Sequence, residues 1–184
     1  MIIGLSGYSR SGKDEVAKIL VEDYGFTRVS FADKIRELLY EMNPIVDTHY
    51  NLKSLVDAYG WDEVKRRPQV REMLQNIGVG ARTLFGDMFW VNQALNPHIY
   101  EHPLVGVNKD IVVTDVRFIN ESDTIKSLGG SIWRIKRPGV EAVNDHVSEH
   151  ELDGYKVEMI LKNEGTLDDL RELVRRRMAL VHAD

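Results

Sequence analysis

The sequence predicts an α/β fold in which parallel strands form a central sheet with helices on both faces. Three observations lead to this prediction. An apolar run at residues 2–5 passes directly into a glycine-rich turn and then into a helical pattern. Further short apolar runs alternate with amphipathic segments, as parallel strands and their crossover helices require. An interval of about 80 residues before Ile111 contains no convincing strand, and it is too long for a simple crossover.

The first strand and its turn contain the most informative motif. The turn reads Gly7-x-x-x-x-Gly12-Lys13, which is the spacing of a phosphate-binding loop. Glycines allow the backbone N–H groups to point inward, the following helix adds its positive dipole, and Lys13 reaches the outer phosphates. A simple strand-to-helix turn is the alternative, and it does not explain the lysine. The helix that follows has an apolar face formed by Val16, Ala17, Ile19 and Leu20.

Asp14 occupies the position at which this motif normally has Ser or Thr, whose hydroxyl ligates Mg²⁺. A carboxylate is also a ligand for this hard cation, so Asp14 could hold Mg²⁺ directly or through water. An acidic residue in the first turn of a helix is equally explained by the helix dipole. Both explanations stay open at this point.

The remaining elements follow from hydrophobic periodicity and from helix and turn signals. Gly25 is typical of a helix C-cap, Pro68 of a helix start, and Gly129-Gly130 of a helix end. Thr166-x-x-Asp169 resembles a capping box at the start of the last helix, whose apolar positions are Leu167, Leu170, Leu173, Val174 and Met178. We predict strands at residues 27–30, 111–114, 131–136 and 159–161, and helices at 31–42, 52–59, 70–77, 88–95 and 120–128.

Composition limits the classes of function. The chain has 184 residues, 43% of them hydrophobic and 29% charged, which predicts one globular domain with an inserted helical lobe. A formal net charge of −5 argues against a broad nucleic-acid surface. The sequence contains no cysteine, and its six histidines show no metal-ligand spacing, so we assign no zinc. No apolar run is long enough to span a membrane, and the N-terminus reads as a core strand, so we expect a cytoplasmic protein.

Charged residues near the strand ends are candidates for chemistry. Asp115 ends a buried strand, where it either holds Mg²⁺ or caps a turn. Arg117 is aimed at the same carboxyl end, where open α/β sheets bind ligands. Phosphoryl transfer between two anions needs positive charge, and arginines supply it, although each one singly is also explained as a surface residue. The candidates are Arg10, Arg36, Arg71, Arg82, Arg117, Arg134 and Arg137, of which Arg36, Arg71, Arg117 and Arg137 lie on segments expected to converge over the sheet.

Two further features bear on an acceptor that contains a base. Gln75 lies one helical turn after Arg71, so an amide and a guanidinium face the same way. An exposed polar pair is the competing explanation. Phe89-Trp90 could stack on a base, although core packing is the commoner use of such aromatics.

Seven short motifs, in this order, resemble those of the phage deoxynucleoside monophosphate kinases, within the nucleoside monophosphate kinase group of phosphate-loop proteins. The resemblance covers both ends and most of the chain. The motifs are Ser6-Gly-Tyr-Ser-Arg-Ser-Gly-Lys-Asp14, Phe31-Ala-Asp-Lys-Ile-Arg36, Arg71-x-x-Leu74-Gln75-x-x-Gly78 with Phe89-Trp90-Val91, Asp115-Val-Arg117, Arg137-Pro-Gly139, Asp145-His-x-Ser148-Glu149 and Asn163-Glu-Gly165-Thr166.

This resemblance implies a phosphate-loop three-layer fold with a five-stranded parallel sheet, and transfer of the ATP γ-phosphate to a deoxynucleoside monophosphate with Mg²⁺. It implies a core at residues 1–30, 104–136 and 155–184, a substrate lobe at 31–103 and a lid at 137–154. Lys13, Arg117 and Arg137 would be catalytic, and Asp14 and Asp115 would hold the metal. ATP would be bound by Gly7, Tyr8, Ser9, Arg10, Ser11, Gly12, Lys13, Asp14 and Glu15, with Asn163, Gly165 and Thr166 near the adenine. The acceptor would be bound by Arg36, Arg71, Gln75, Trp90 and Asp115.

Other functions remain open at the level of sequence. A phosphate-loop kinase of another small phosphorylated acceptor, such as phosphomevalonate or dephospho-coenzyme A, shares much of this pattern. A GTP-binding switch is disfavoured, because Asn108-Lys109-Asp110 lacks the spacer of the guanine motif and precedes a strand. We expect nucleotide substrates, no nucleic-acid or membrane partner, and leave a homodimer open.

Overall fold

The computed structural model describes residues 1–99, 110–141 and 150–181. Its centre is a sheet of five parallel strands, which confirms the predicted α/β class and the strand count. The strand order is β2-β3-β1-β4-β5, so β1 lies in the middle of the sheet. The strands are β1 (Ile2–Ser6), β2 (Thr27–Val29), β3 (Ile111–Val113), β4 (Ser131–Lys136) and β5 (Met159–Lys162).

Helices cover both faces of this sheet. Three of them, together with β1, illustrate the three layers: Ile3 and Leu5 belong to a buried cluster with residues of the first and last helices, whereas a Cβ atom at Gly4 would face the opposite side, against Ile125 on a third helix. The helices are α1 (Lys13–Tyr24), α2 (Phe31–Met42), α3 (Leu52–Tyr59), α4 (Trp61–Val64), α5 (Pro68–Phe85), α6 (Phe89–Ile99), α7 (Ile119–Ser127) and α8 (Leu167–Val181).

The chain divides into two compact units. Unit 1 comprises Met1–Ser30 and Pro97–Asp184 and contains the sheet. Unit 2, Phe31–Asn96, is helical, and its only other regular pairing among the described residues is an isolated bridge between Ile45 and Asn51. The core of unit 2 consists of Leu39, Val46, Leu52, Leu55, Val64 and Val70.

The structure corrects two predictions within unit 2. The predicted helix at 70–77 is longer, because α5 continues through Gly78 and Gly80 to Phe85 and is capped by Gly86, where φ is 93°. The Gly78 carbonyl accepts a hydrogen bond from the Trp90 indole at 3.0 Å, so tertiary packing offsets the weak helix propensity of glycine. The short helix α4 was not predicted.

In the part of the chain that the structure describes, no helix combines the length and the apolar character needed to cross a membrane.

Candidate active site

The turn after β1 has the backbone conformation of a phosphate-binding loop. Gly7 has φ of 132° and Gly12 has φ of 107°, values that other residues rarely adopt. A Cβ atom at Gly7 would lie 2.4 Å from the carbonyl oxygen of Ile135, so a side chain cannot fit there. Within the loop, the Ser11 N–H donates to the Tyr8 carbonyl at 3.2 Å, and Arg10 between them has φ of 66°. The glycines of the motif are therefore required by the geometry.

Lys13 is the first residue of α1, and its ammonium group lies against the loop. Nζ donates hydrogen bonds to the carbonyl oxygens of Gly7 at 2.6 Å and of Tyr8 at 2.8 Å. These bonds hold a positive charge next to the N-terminus of α1, whose dipole is also positive at that end. The arrangement is suited to an anion such as a phosphate group.

A buried hydroxyl in the loop lacks a partner. Ser11 is 1% exposed and lines the cleft described below, yet among the described residues its Oγ atom makes no hydrogen bond. An unpaired buried hydroxyl costs free energy, so such a group in a native structure calls for an explanation. A phosphate oxygen bound in the loop would supply the missing acceptor.

The two carboxylates proposed as metal ligands lie at the loop and after β3. Asp14 is exposed in the first turn of α1, as is Glu15. Asp115 accepts a hydrogen bond from the Ser30 hydroxyl at 2.8 Å. No group of three or more His, Cys, Asp or Glu side chains forms a metal site within residues 1–99, 110–141 and 150–181. Mg²⁺ is commonly held by one or two carboxylates together with substrate phosphates, and this donor set fits that mode.

An open cleft of about 390 Å³ adjoins the loop. Its lining includes Lys13, Arg117 after β3, Lys136 at the end of β4 and Arg137 directly after that strand. Both proposed clamp arginines, Arg117 and Arg137, are exposed to solvent. Positive side chains concentrated in a cleft favour a polyanionic ligand, in contrast to the net negative charge of the whole chain.

Glu121 holds the backbone next to Arg117, and the sequence reasoning missed this residue. The side chain is 7% exposed, and its Oε2 atom accepts hydrogen bonds from the N–H groups of Arg117 at 2.7 Å and Phe118 at 3.0 Å. A carboxylate at the start of α7 also interacts favourably with the positive end of the helix dipole. The available signal was a glutamate at the beginning of a predicted helix, immediately after a candidate catalytic residue.

Arg134 has a different role from the one the sequence suggested. Its guanidinium lines the cleft but donates to the carbonyl oxygens of Leu152, of Asp153 at 3.2 Å and of Tyr155 at 3.4 Å. These bonds attach the turn at residues 150–155 to β4. Arg134 therefore stabilises the wall of the cleft.

A second contact joins the same turn to the loop. The Tyr8 hydroxyl donates to Oδ1 of Asp153 at 2.9 Å, and Nδ1 of His150 lies 3.0 Å from Oδ2. Burial raises the pKa of the Asp153 carboxyl, but the hydrogen bonds from His150 and Tyr8, together with the positive charges of His150 and Arg134, outweigh burial, and the pKa is lowered overall. The predicted lid at 137–154 is described only at its two ends, and the motif from Asp145 to Glu149 lies outside the described residues.

The segment after β5 contacts the loop from another direction. The Asn163 side-chain amide donates to the Ser11 carbonyl at 2.9 Å, and the Asn163 N–H donates to the Lys136 carbonyl at 2.7 Å. The predicted capping box is confirmed: the Thr166 N–H donates to Asp169 at 2.8 Å, and the Asp169 N–H donates to the Thr166 hydroxyl at 3.2 Å. The structure thus places Asn163 beside the phosphate loop.

The residues proposed for the acceptor lie in unit 2, apart from Asp115. Arg36 pairs with Asp33 at 2.9 Å on α2. Arg71 and Gln75 are both exposed on α5. Trp90 is 6% exposed, and its indole N–H donates to the Gly78 carbonyl at 3.0 Å, so most of this ring is buried.

The chain is similar to several known proteins. A shikimate kinase from Acinetobacter baumannii, solved in complex with shikimate, shares 12% identity with this chain, covering 99% of this chain and 93% of its own, with a TM-score of 0.49. A protein of Acanthamoeba polyphaga mimivirus that bears the name deoxynucleotide monophosphate kinase is 31% identical, covering 92% of this chain and 91% of its own. The deoxynucleotide monophosphate kinase of Escherichia phage RB69 is 29% identical over 65% of this chain and 54% of its own. The sequence profile of deoxynucleotide monophosphate kinase matches residues 58–174, and the chain belongs to that family.

Proposed function

We propose that this protein transfers the γ-phosphoryl group of ATP to a deoxynucleoside monophosphate, giving ADP and the deoxynucleoside diphosphate. The observation that carries the proposal is the placement of the Lys13 ammonium against a glycine-containing loop that adjoins a cleft lined by Arg117 and Arg137. Membership of the deoxynucleotide monophosphate kinase family supports the identity of both substrates.

The loop would bind the phosphates of ATP. Its N–H groups and the Lys13 ammonium would contact the β- and γ-phosphates, and the Ser11 hydroxyl would gain a partner. Lys13 would leave the carbonyl oxygens of Gly7 and Tyr8 to do so. Asp14 and Asp115 would hold Mg²⁺, and the bound metal ion would neutralise part of the phosphate charge.

Arg117 and Arg137 would stabilise the transferring group. Donor and acceptor phosphates repel each other, and guanidinium groups offset this repulsion most strongly as charge redistributes in the transition state. The acceptor oxygen already belongs to an ionised phosphate, so the reaction needs no general base. Closure of a lid at residues 137–154 would keep water from accepting the phosphoryl group.

Unit 2 would select the acceptor. Arg36 and Arg71 would bind its phosphate, and Gln75 would read a base edge. Because the Trp90 indole N–H is bound to the Gly78 carbonyl, Trp90 would contact the acceptor only with the small part of its ring that is exposed. Asp115 would also contribute to binding of the acceptor. A cytoplasmic location stays a prediction from the sequence.

The test is a coupled ADP-release assay with ATP, Mg²⁺ and each of dAMP, dGMP, dCMP, dTMP and the corresponding ribonucleotides. We expect turnover with one or more deoxynucleotides that exceeds the rate with ATP alone. A protein that binds ATP but is silent with every monophosphate would contradict the proposal and favour a non-nucleotide acceptor.

A further inference from the structure

We infer that Asn163 is a positioning residue for the phosphate loop: it fixes the peptide between Ser11 and Gly12 so that the Gly12 N–H faces the bound phosphates. The inference rests on the proposed binding of ATP by this loop. It gives Asn163 a role that differs from contact with the adenine, since the side chain would act through the loop backbone.

The first step is the geometry of the Ser11–Gly12 peptide. In a planar trans peptide, the carbonyl of one residue and the N–H of the next point in opposite directions. The Asn163 amide donates to the Ser11 carbonyl at 2.9 Å and so determines where that oxygen points. Ser11 and Lys13, the two neighbours of Gly12, line the cleft, whereas neither Gly12 nor Asn163 does. The Gly12 N–H is therefore directed away from Asn163, and under this inference it lies on the side of the loop where phosphates would bind.

The second step is the closeness of the contact. A Cβ atom at Gly12 would lie 2.5 Å from Nδ2 of Asn163. Gly12 also has φ of 107°, in the region that favours glycine. The absence of a side chain at Gly12 lets the amide reach the carbonyl, so the glycine and the asparagine form one matched contact.

The third step is that Asn163 is itself held in place from both sides along the chain. Its N–H continues the pairing of β5 with β4 through the Lys136 carbonyl at 2.7 Å. Three residues later, the Thr166–Asp169 capping box fixes the start of α8. Because the backbone of Asn163 is fixed between a strand and a helix, only the side-chain rotamer has to be ordered when the amide holds the loop, and a preorganised loop binds phosphate at a lower cost.

The experiment compares Asn163→Ala with the unmodified protein by isothermal titration of ATP and of inorganic tripolyphosphate. Loss of one orienting hydrogen bond is expected to weaken both ligands by the same factor, about three- to tenfold. A residue that contacts the adenine would instead weaken ATP and leave tripolyphosphate unchanged, which would overturn the inference. Equal affinities in variant and unmodified protein would also overturn it.

Asn51→Ala is the matched control. Asn51 also uses its side-chain amide group to hold backbone, accepting from the Ser54 N–H at 3.0 Å at the start of α3 in unit 2. We expect this variant to lower the melting temperature and to leave the affinity for tripolyphosphate unchanged. If Asn51→Ala weakened tripolyphosphate as much as Asn163→Ala, general destabilisation would explain the result and the inference would fail.

A second variant guards against misfolding of the first. Asn163→Asp keeps the size of the side chain but places a carboxylate oxygen against the Ser11 carbonyl, so it is expected to weaken tripolyphosphate more than Asn163→Ala does. The amide resonance of Gly12 in the ligand-free protein should shift in both variants. If the unmodified protein bound neither ATP nor tripolyphosphate, the proposed function would fail; if it bound both, and neither variant changed the affinity, only the role of Asn163 would fail.

Discussion

The carboxylate of Glu121 lies 2.7 Å from the backbone nitrogen of Arg117 and is almost fully buried. The same oxygen accepts the next N–H group, from Phe118, at 3.0 Å. One buried side chain on α7 thus fixes the backbone from which the Arg117 guanidinium extends into the cleft. The precision of the proposed arginine clamp depends on this carboxylate.

Glu121→Gln is expected to lower the free energy of unfolding by about 1–3 kcal/mol, because hydrogen bonds to a buried charged acceptor are strong and costly to lose. Turnover should fall as well, since Arg117 loses its fixed backbone. Chemical denaturation and the coupled assay measure the two effects. The control is Glu151→Gln, which alters a more exposed bond to the Ile119 N–H at 3.0 Å and should cost less. Equal losses would contradict a special role for Glu121.

Lys13→Ala is expected to reduce phosphoryl transfer by at least about 100-fold, because removal of a group that stabilises developing charge typically costs that much. Steady-state kinetics with the best deoxynucleotide measures the change. Lys18→Ala is the control on the same helix. Lys18 is exposed, and its ammonium nitrogen lies 3.9 Å from a Glu22 carboxylate oxygen, which makes a weak surface ion pair. Near-normal turnover in Lys13→Ala would refute the mechanism.

Arg117→Ala and Arg137→Ala should lower kcat far more than they weaken ATP binding, since charge in the cleft is most valuable in the transition state. Measuring both kcat and the Kd for ATP in each variant shows how much of the effect falls on turnover and how much on ATP binding. Arg175→Ala removes an exposed arginine on α8 and serves as the control. A large loss of ATP affinity with unchanged kcat would assign the two arginines to ground-state binding instead.

Tyr8→Phe should raise the pKa of Asp153 toward its ordinary value of 3.8, because the phenol hydrogen bond that stabilises the carboxylate is lost. A lowered pKa in the folded state means that this carboxylate adds stability at pH values above the unfolded pKa. That contribution disappears as the pH falls through the folded pKa. Carboxyl NMR titration measures the shift directly, with Tyr59→Phe as an exposed control. An unchanged Asp153 pKa in Tyr8→Phe would contradict this coupling.

Much of the fold follows from local sequence signals. The helix at 31–42 and the strand at 131–136 have the predicted bounds, because hydrophobic periodicity and the neighbouring turn residues agree there. The end of α5 was misjudged for a physical reason: Gly78 weakens a helix by about 1 kcal/mol relative to alanine, which suggested an earlier end. The packing of Trp90 against Gly78, which offsets that cost, joins residues on two different helices.

The candidate site also contains some features that follow from local sequence and others that depend on contacts distant in the chain. The phosphate loop was predictable because its glycines and Lys13 stand within one short stretch. The bonds from Arg134 to residues 152–155 were not, since their partners are backbone carbonyls, which carry no sequence signal. The contact between Asn163 and Ser11 likewise joins residues 152 positions apart and depends on the neighbouring order of β4 and β5 in the sheet.

The central place of β1 has a consequence for folding. This strand pairs with β3 and β4, and it does not pair with β2, the next strand in the chain. About 100 residues separate β1 from β3, and at roughly 5–20 residues per second their synthesis takes about 5–20 s. During that time the apolar side chains of Ile3 and Leu5 have no sheet to join. Chain collapse and long-range pairing, rather than local structure, should therefore limit the rate at which the phosphate loop forms.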